Sequence, residues 1–168
     1  MLQAALDTSE GVALAIADGD RLLLSEWESC HRRSSEAALV PWLHDRVREC
    51  GLTFGSIARW SVGTGPGSFT GLRCGIAFVK GLCAQTAAAY RGLPSSLAAA
   101  AGLLQRHPDI GMIGVLNDGR MGDVILSRYR HISGALKPLE EPAVVSPRDL
   151  AADDTCDSFV TLQGDRIL

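Results

Sequence analysis

Residues 61–82 read SVGTGPGSFTGLRCGIAFVKGL and place Gly63, Gly65, Gly67, Gly71, Gly75 and Gly81 in one short passage. The approach to it, IARWSVG (57–63), reads as a strand. Residues 70–88 are long, rich in Ala and Leu and free of Pro, and so predict a helix. A glycine-rich turn between a strand and a helix has two readings. It can cradle a phosphate, because backbone amides at a helix N-terminus face an anion. It can also be a tight turn that needs positive φ angles. A P-loop requires Gly-x4-Gly-Lys-Ser/Thr, whereas Gly71 is followed by Leu72 and Arg73. The GxGxxG fingerprint fails as well, since Ser68 stands where its third glycine belongs.

The helix carries its own glycines. Gly71 and Gly75 lie on one face, and each costs roughly 1 kcal/mol against Ala in a helix interior. Their spacing predicts a neighbouring helix packed very close. Ile76, Val79, Leu82 and Cys83 extend the apolar surface, and only Arg73 and Lys80 are charged between Thr70 and Ala84. A core helix and a subunit interface use the same apolar packing. We take the interface reading, with Gly71, Leu72, Gly75, Ile76 and Val79 on this helix and Leu39 and Leu43 on the one before it.

Working outward, residues 3–7, GVALAIA (11–17) and LLLSEWE (22–28) predict three consecutive antiparallel strands, the last two joined by an Asp-Gly turn. SSEAALVPWLHDRVREC (34–50) puts Leu39, Leu43, Val47 and Cys50 at helical spacing, with Ser34 or Ser35 as cap and Gly51 as stop. Pro41 either bends this helix or marks its true start. AAAYRGLP holds a short fifth strand, and SSLAAAAGLLQRH a third helix with a Ser cap. The order strand-strand-strand-helix-strand-helix-strand predicts a mixed α/β layer. After His107-Pro108 a related pattern restarts: IGMIGVLN, the turn DGRMGD, VILSRYR, and KPLEEPAVV as a third strand. ALDTSEGVALAIA and VLNDGRMGDVILS share strand, acid-containing turn, strand. The expectation is two related lobes, 1–107 and 108–168, with the second unfinished.

The chain has 168 residues, 46 % hydrophobic and 21 % charged, with a net charge of −3. It is long enough for one domain or two small lobes, and it has no overall field drawing it to nucleic acid or an anionic membrane. Cys30, Cys50, Cys74, Cys83 and Cys156 are scattered without a CxxC pair, which fits a reducing compartment better than a disulfide framework or a zinc site. MLQAALDTSE lacks a basic signal-peptide start, and no apolar run is long enough to span a bilayer. These features predict a soluble cytoplasmic protein.

DTSE (7–10) ends the first strand with a carboxylate and two hydroxyls, so Asp7, Thr8 and Ser9 with Gly65, Gly67 and Ser68 are the candidate nucleotide contacts. A plain polar turn is the alternative, and Asp118 has the same two readings. His31, His44, His107 and His131 show neither HxxxH nor HExxH spacing, and no GxSxG elbow is present. No catalytic residue and no metal ligand is assigned.

ALDTSEGVALAI, SSEAALVPWL, SVGTGPGSFTGLRCGIAFVKGL and VLNDGRMGDVILSRY, in that order, resemble the TsaB (YeaZ) family, the dimerisation subunit of the bacterial tRNA threonylcarbamoyladenosine synthase. The likeness runs from residue 3 to about residue 165, and GPGSFTGLR with KGL is its most specific part. It implies an actin-like fold of the sugar kinase/Hsp70 type with two ribonuclease H-like lobes. It implies a non-catalytic role in modifying the adenosine beside the anticodon of ANN-decoding tRNAs. The implied partners are a second copy, the catalytic paralogue TsaD and the ATPase TsaE, with tRNA reached through the complex. No cofactor is implied for this subunit, though ATP or ADP at the joint surface is. The rivals are an ATP-dependent phosphotransferase of the same fold and a metallopeptidase ("glycoprotease"). Against the latter, the paralogue's metal-binding HxxxH matches SSLAA here, so Ser96 and Ala100 stand at the two histidine positions. Two departures stand out: Ser34 replaces the family's usual His, and the family's last elements are not matched.

Overall fold

The computed structural model describes residues 1–29 and 38–161. The expected caps Ser34 and Ser35, and residues 36–37 of the predicted interface helix, lie outside them. The chain divides into two units, Met1–Leu93 and Pro94–Leu168.

In the first unit β1 (Leu2–Asp7), β2 (Gly11–Asp18) and β3 (Arg21–Ser29) form an antiparallel meander, as their alternating pattern and Asp-Gly turn predict. β4 (Arg59–Gly63) lies parallel to β1, and β5 (Ala89–Leu93) parallel to β4. The sheet order β3-β2-β1-β4-β5 is the ribonuclease H-like arrangement. One face carries Ala4, Leu6, Val12, Leu14, Ile16, Trp60 and Val62, packed with residues of α1 (Leu39–Glu49) and α2 (Phe69–Thr86) into a single core. Helix α1 begins just ahead of Pro41, where a missing N–H has no intrahelical partner to lose, so Pro41 marks a start and not a bend.

The second unit repeats this plan. β6 (Met112–Arg120), β7 (Asp123–Ile132) and β8 (Ala135–Pro138) are an antiparallel meander, and β10 (Ser158–Thr161) runs parallel to β6. Its order β8-β7-β6-β10 matches the first four places of the first sheet, with β9 (Ala143–Val145) added on β7 and α4 (Pro147–Ala151) before β10. The weak repeat in the sequence is therefore a repeat of topology. The strand expected in KPLEEPAVV is two strands, β8 and β9, interrupted after Pro138.

Helix α3 (Ser95–Arg106) follows β5 in the chain but packs against β6, β7, β8 and β10. The boundary accordingly falls after Leu93 and not after His107, where the sequence pattern restarts. Its serines do not cap it. Pro94 takes the N-cap position, and Ser95 and Ser96 are buried, with the Ser96 hydroxyl 2.8 Å from that of Tyr129. Around them Ala99, Ala100, Leu103, Ile113, Val115 and Tyr129 form the second core.

Candidate functional site

The glycine passage and the DTSE turn meet at the C-terminal end of β1. This is where a ligand site belongs in a sheet with parallel strands, and the chemistry depends on which polar groups remain free. Ser9 donates both its backbone N–H (2.8 Å) and its hydroxyl to one oxygen of the Asp7 carboxylate. Its carbonyl accepts the Ser68 N–H at 2.7 Å. The Thr8 hydroxyl donates to the Gly71 carbonyl at 2.8 Å. The Ser68 hydroxyl caps α2 by accepting the Gly71 N–H at 3.2 Å. Thr8 and Ser9 are buried. The six candidate nucleotide residues thus fall in one place, with the Ser9 hydroxyl on Asp7 of its own turn, the Ser68 hydroxyl on the start of its own helix, and the Thr8 hydroxyl reaching from the turn to α2.

Glycines make that joint possible. A Cβ on Gly67 would sit 2.7 Å from the Ser9 carbonyl oxygen, and Gly65 takes φ +95°, a conformation that favours glycine. A Cβ on Gly71 would collide with the Thr8 carbonyl oxygen, and one on Gly75 with the Thr8 side chain. This corrects the interface assignment. The close neighbour of Gly71 and Gly75 is Thr8 of the same chain, not a partner helix. Leu39, Leu43, Gly75 and Val79 are likewise buried inside the first unit, leaving them no surface to offer. Leu72 and Ile76 are half-buried.

What α2 does present is a row the sequence reading passed over. Phe69, Arg73, Ala77, Lys80 and Ala84 are exposed, with the Arg73 guanidinium 5.2 Å from the centre of the Phe69 ring. Val40 and Pro41 of α1 are exposed too. The i, i+4, i+8 spacing of Phe69, Arg73 and Ala77 was the available signal. Among the described residues no group of three or more His, Cys, Asp or Glu side chains could hold a metal ion. Ser96 and Ala100 face the second core.

A family model, TsaD: tRNA N6-adenosine threonylcarbamoyltransferase, matches residues 28–159. The chain belongs to this family. Within it the similarity is to the TsaB/YeaZ branch. The tRNA threonylcarbamoyladenosine biosynthesis protein TsaB of Escherichia coli (strain K12) is 28% identical over 144 residues, covering 85% of this chain and 62% of the relative. TsaB of Bacillus subtilis (strain 168) is 28% identical over 139 residues, covering 79% and 57%. YeaZ from Pseudomonas aeruginosa superposes with a TM-score of 0.73 at 26% identity, over 88% of this chain and 68% of that one. The chain therefore spans about three fifths of the curated TsaB relatives it matches. The actin-like fold implied by the resemblance is the one observed. No helix among the described residues is long and apolar enough to cross a membrane.

Proposed function

We propose that this TsaB-like chain is a non-catalytic partner subunit in the formation of threonylcarbamoyladenosine beside the anticodon of ANN-decoding tRNAs. On this reading it binds and activates the catalytic paralogue TsaD, with the ATPase TsaE joining them in the cytoplasm, and tRNA is engaged through the complex. The observation that carries the reading is the Thr8 lock. The Thr8 hydroxyl of the turn bonds the Gly71 carbonyl of α2, the Ser68 hydroxyl caps that helix, and the space beside Gly67, Gly71 and Gly75 is taken by Ser9 and Thr8 of the same chain. That design favours a rigid platform behind α2 over a site that exchanges nucleotide. The exposed Phe69–Ala84 row is then the contact face for TsaD, and for a second copy in its absence. ATP or ADP is held weakly by the chain alone and better at the joint surface, where the partner supplies the missing donors; no cofactor is required.

The test is threonylcarbamoyladenosine content of tRNA in TsaB-depleted cells carrying this chain, with co-purification of TsaD as the second readout. Restored modification and recovered TsaD are expected, with no transfer activity in the isolated chain. Failure of both, together with robust ATP turnover by the isolated chain, would replace this reading with the phosphotransferase.

A further inference from the structure

The stripe that α2 leaves exposed has the step of a helix-pairing seam. Phe69, Arg73, Ala77, Lys80 and Ala84 follow one another at intervals of four, four, three and four residues, which holds them in one line along the axis. Ala77 and Ala84 are small enough for a second helix to come near. Phe69, 67% exposed, is a bulky apolar anchor at one end.

Two cations stand inside that line. Arg73 and Lys80 lie seven residues apart, about 10.5 Å along the axis. Arg73 sits over the Phe69 ring, and neither cation has an ion pair among the described residues. Between Phe69 and Thr86 the helix carries no Asp or Glu, in a chain whose net charge is −3. The stripe is therefore of one sign, and that sign opposes the charge of the whole chain.

Sign alone decides how the stripe meets its own kind. A second copy laid α2 against α2 brings no carboxylate in any register, parallel or antiparallel. In the antiparallel register centred on the row, Arg73 of each copy falls beside Lys80 of the other. Helix α1 of a second copy offers Asp45 and Glu49, but Asp45 lies 3.7 Å from its own His44, and Glu49 is bonded to its own Arg46. Like charges in a contact penalise the wrong partner, and opposite charges steer the right one.

We infer that Arg73 and Lys80 select the occupant of this stripe: a helix of a partner polypeptide that sets carboxylates, about two turns apart, against the two cations, with an apolar side chain between them over Ala77. The inference rests on the reading of α2 as the contact face for TsaD, and adds the charge pattern that separates such a partner from a second copy.

The probe is the full chain with its signs reversed. Arg73→Glu combined with Lys80→Glu places carboxylates at the spacing inferred for the partner. In sedimentation, wild type mixed with this variant should pair at a concentration about tenfold below that at which either pairs with itself. Raising salt from about 0.05 M to about 0.5 M should weaken the mixed pair. Recovery of TsaD should fall about tenfold on the double reversal, and less for Arg73→Gln with Lys80→Gln. Unfolding curves check that each variant is folded, and the Gln pair carries the TsaD measurement if the reversed variant is not. Mixed pairing no tighter than wild-type self-pairing overturns the inference, because the stripe would then accept a second copy as readily. TsaD recovery indifferent to both reversal and salt also overturns it, while leaving the proposed function standing. A mixed pair that forms as expected, with no TsaD recovered by wild type, supports the charge selection and removes the proposed function instead.

Discussion

A Cβ at position 75 would stand 3.1 Å from Cγ2 of Thr8 and closer still to its hydroxyl. Two effects compete there. Removing a helix glycine favours the helix by roughly 1 kcal/mol, while overpacking a filled interior typically costs about 1–3 kcal/mol. The contact decides for the second, so Gly75→Leu should lower the unfolding midpoint of the chain itself, measured at low protein concentration. Gly75→Ala should be milder, and combining it with Thr8→Ala should cost less than the sum of the two single changes, because Thr8 is the obstacle. A strictly additive double-mutant cycle would count against the lock. The glycine spacing did reveal in the sequence that something approaches α2 closely. It could not reveal whose atoms, because a chain's own turn and a partner's helix demand the same missing Cβ.

The second unit depends on polar contacts that no periodicity announces. Tyr129 is buried, which pushes its phenol above the ordinary range, and the Ser96 hydroxyl is its partner. Ser96→Ala should therefore cost about 1–3 kcal/mol by leaving a buried hydroxyl unpaired, and adding Tyr129→Phe should recover part of that. Thermal or urea unfolding of the three variants measures it. On the opposite face Arg128 joins Glu140 and Asp153. Hydrogen bonds from Thr155, then the Arg128 guanidinium, hold the Asp153 carboxyl down at about 2. A depressed carboxyl stabilises the fold above its unfolded value near 3.8, and that stability is lost as pH falls toward 2. Asp153→Asn should thus be less stable than wild type near neutrality, by about 2 kcal/mol, and the gap should close by about pH 2. A gap independent of pH would refute the pairing. At this scale the strands and helices were legible from alternation, helical spacing and turn residues. The facing of α3 was not. Its Ser-Ser start reads as a cap, and only the tertiary position of Tyr129 turns those serines inward.

For the molecule, the contact face proposed for TsaD is the exposed side of α2, which permits a clean separation of folding from assembly. Ala77 is exposed, so Ala77→Arg should leave the unfolding midpoint within the small range typical of surface changes, about 0.5 kcal/mol, while abolishing co-purification with TsaD. Gly75→Leu should depress both. If Ala77→Arg still recovers TsaD at the wild-type level, the contact lies elsewhere. The family and the doubled plan were legible from GPGSFTGLR and the two acid-containing hairpins. The boundary was not, since the pattern restarts after His107 while the packing changes hands after Leu93.

That handover has a practical side for anyone dissecting the chain. Among the described residues the first core draws on none beyond Ala88, and the second on none before Leu97. A nick at the Leu93–Pro94 junction would leave each fragment with the core described for it. A gene fragment stopped at His107 would instead carry off Ala99, Ala100 and Leu103 on a helix with no strands of its own to cover. The remainder would lose the lid over Ile113, Val115 and Tyr129, and both products would expose grease to solvent.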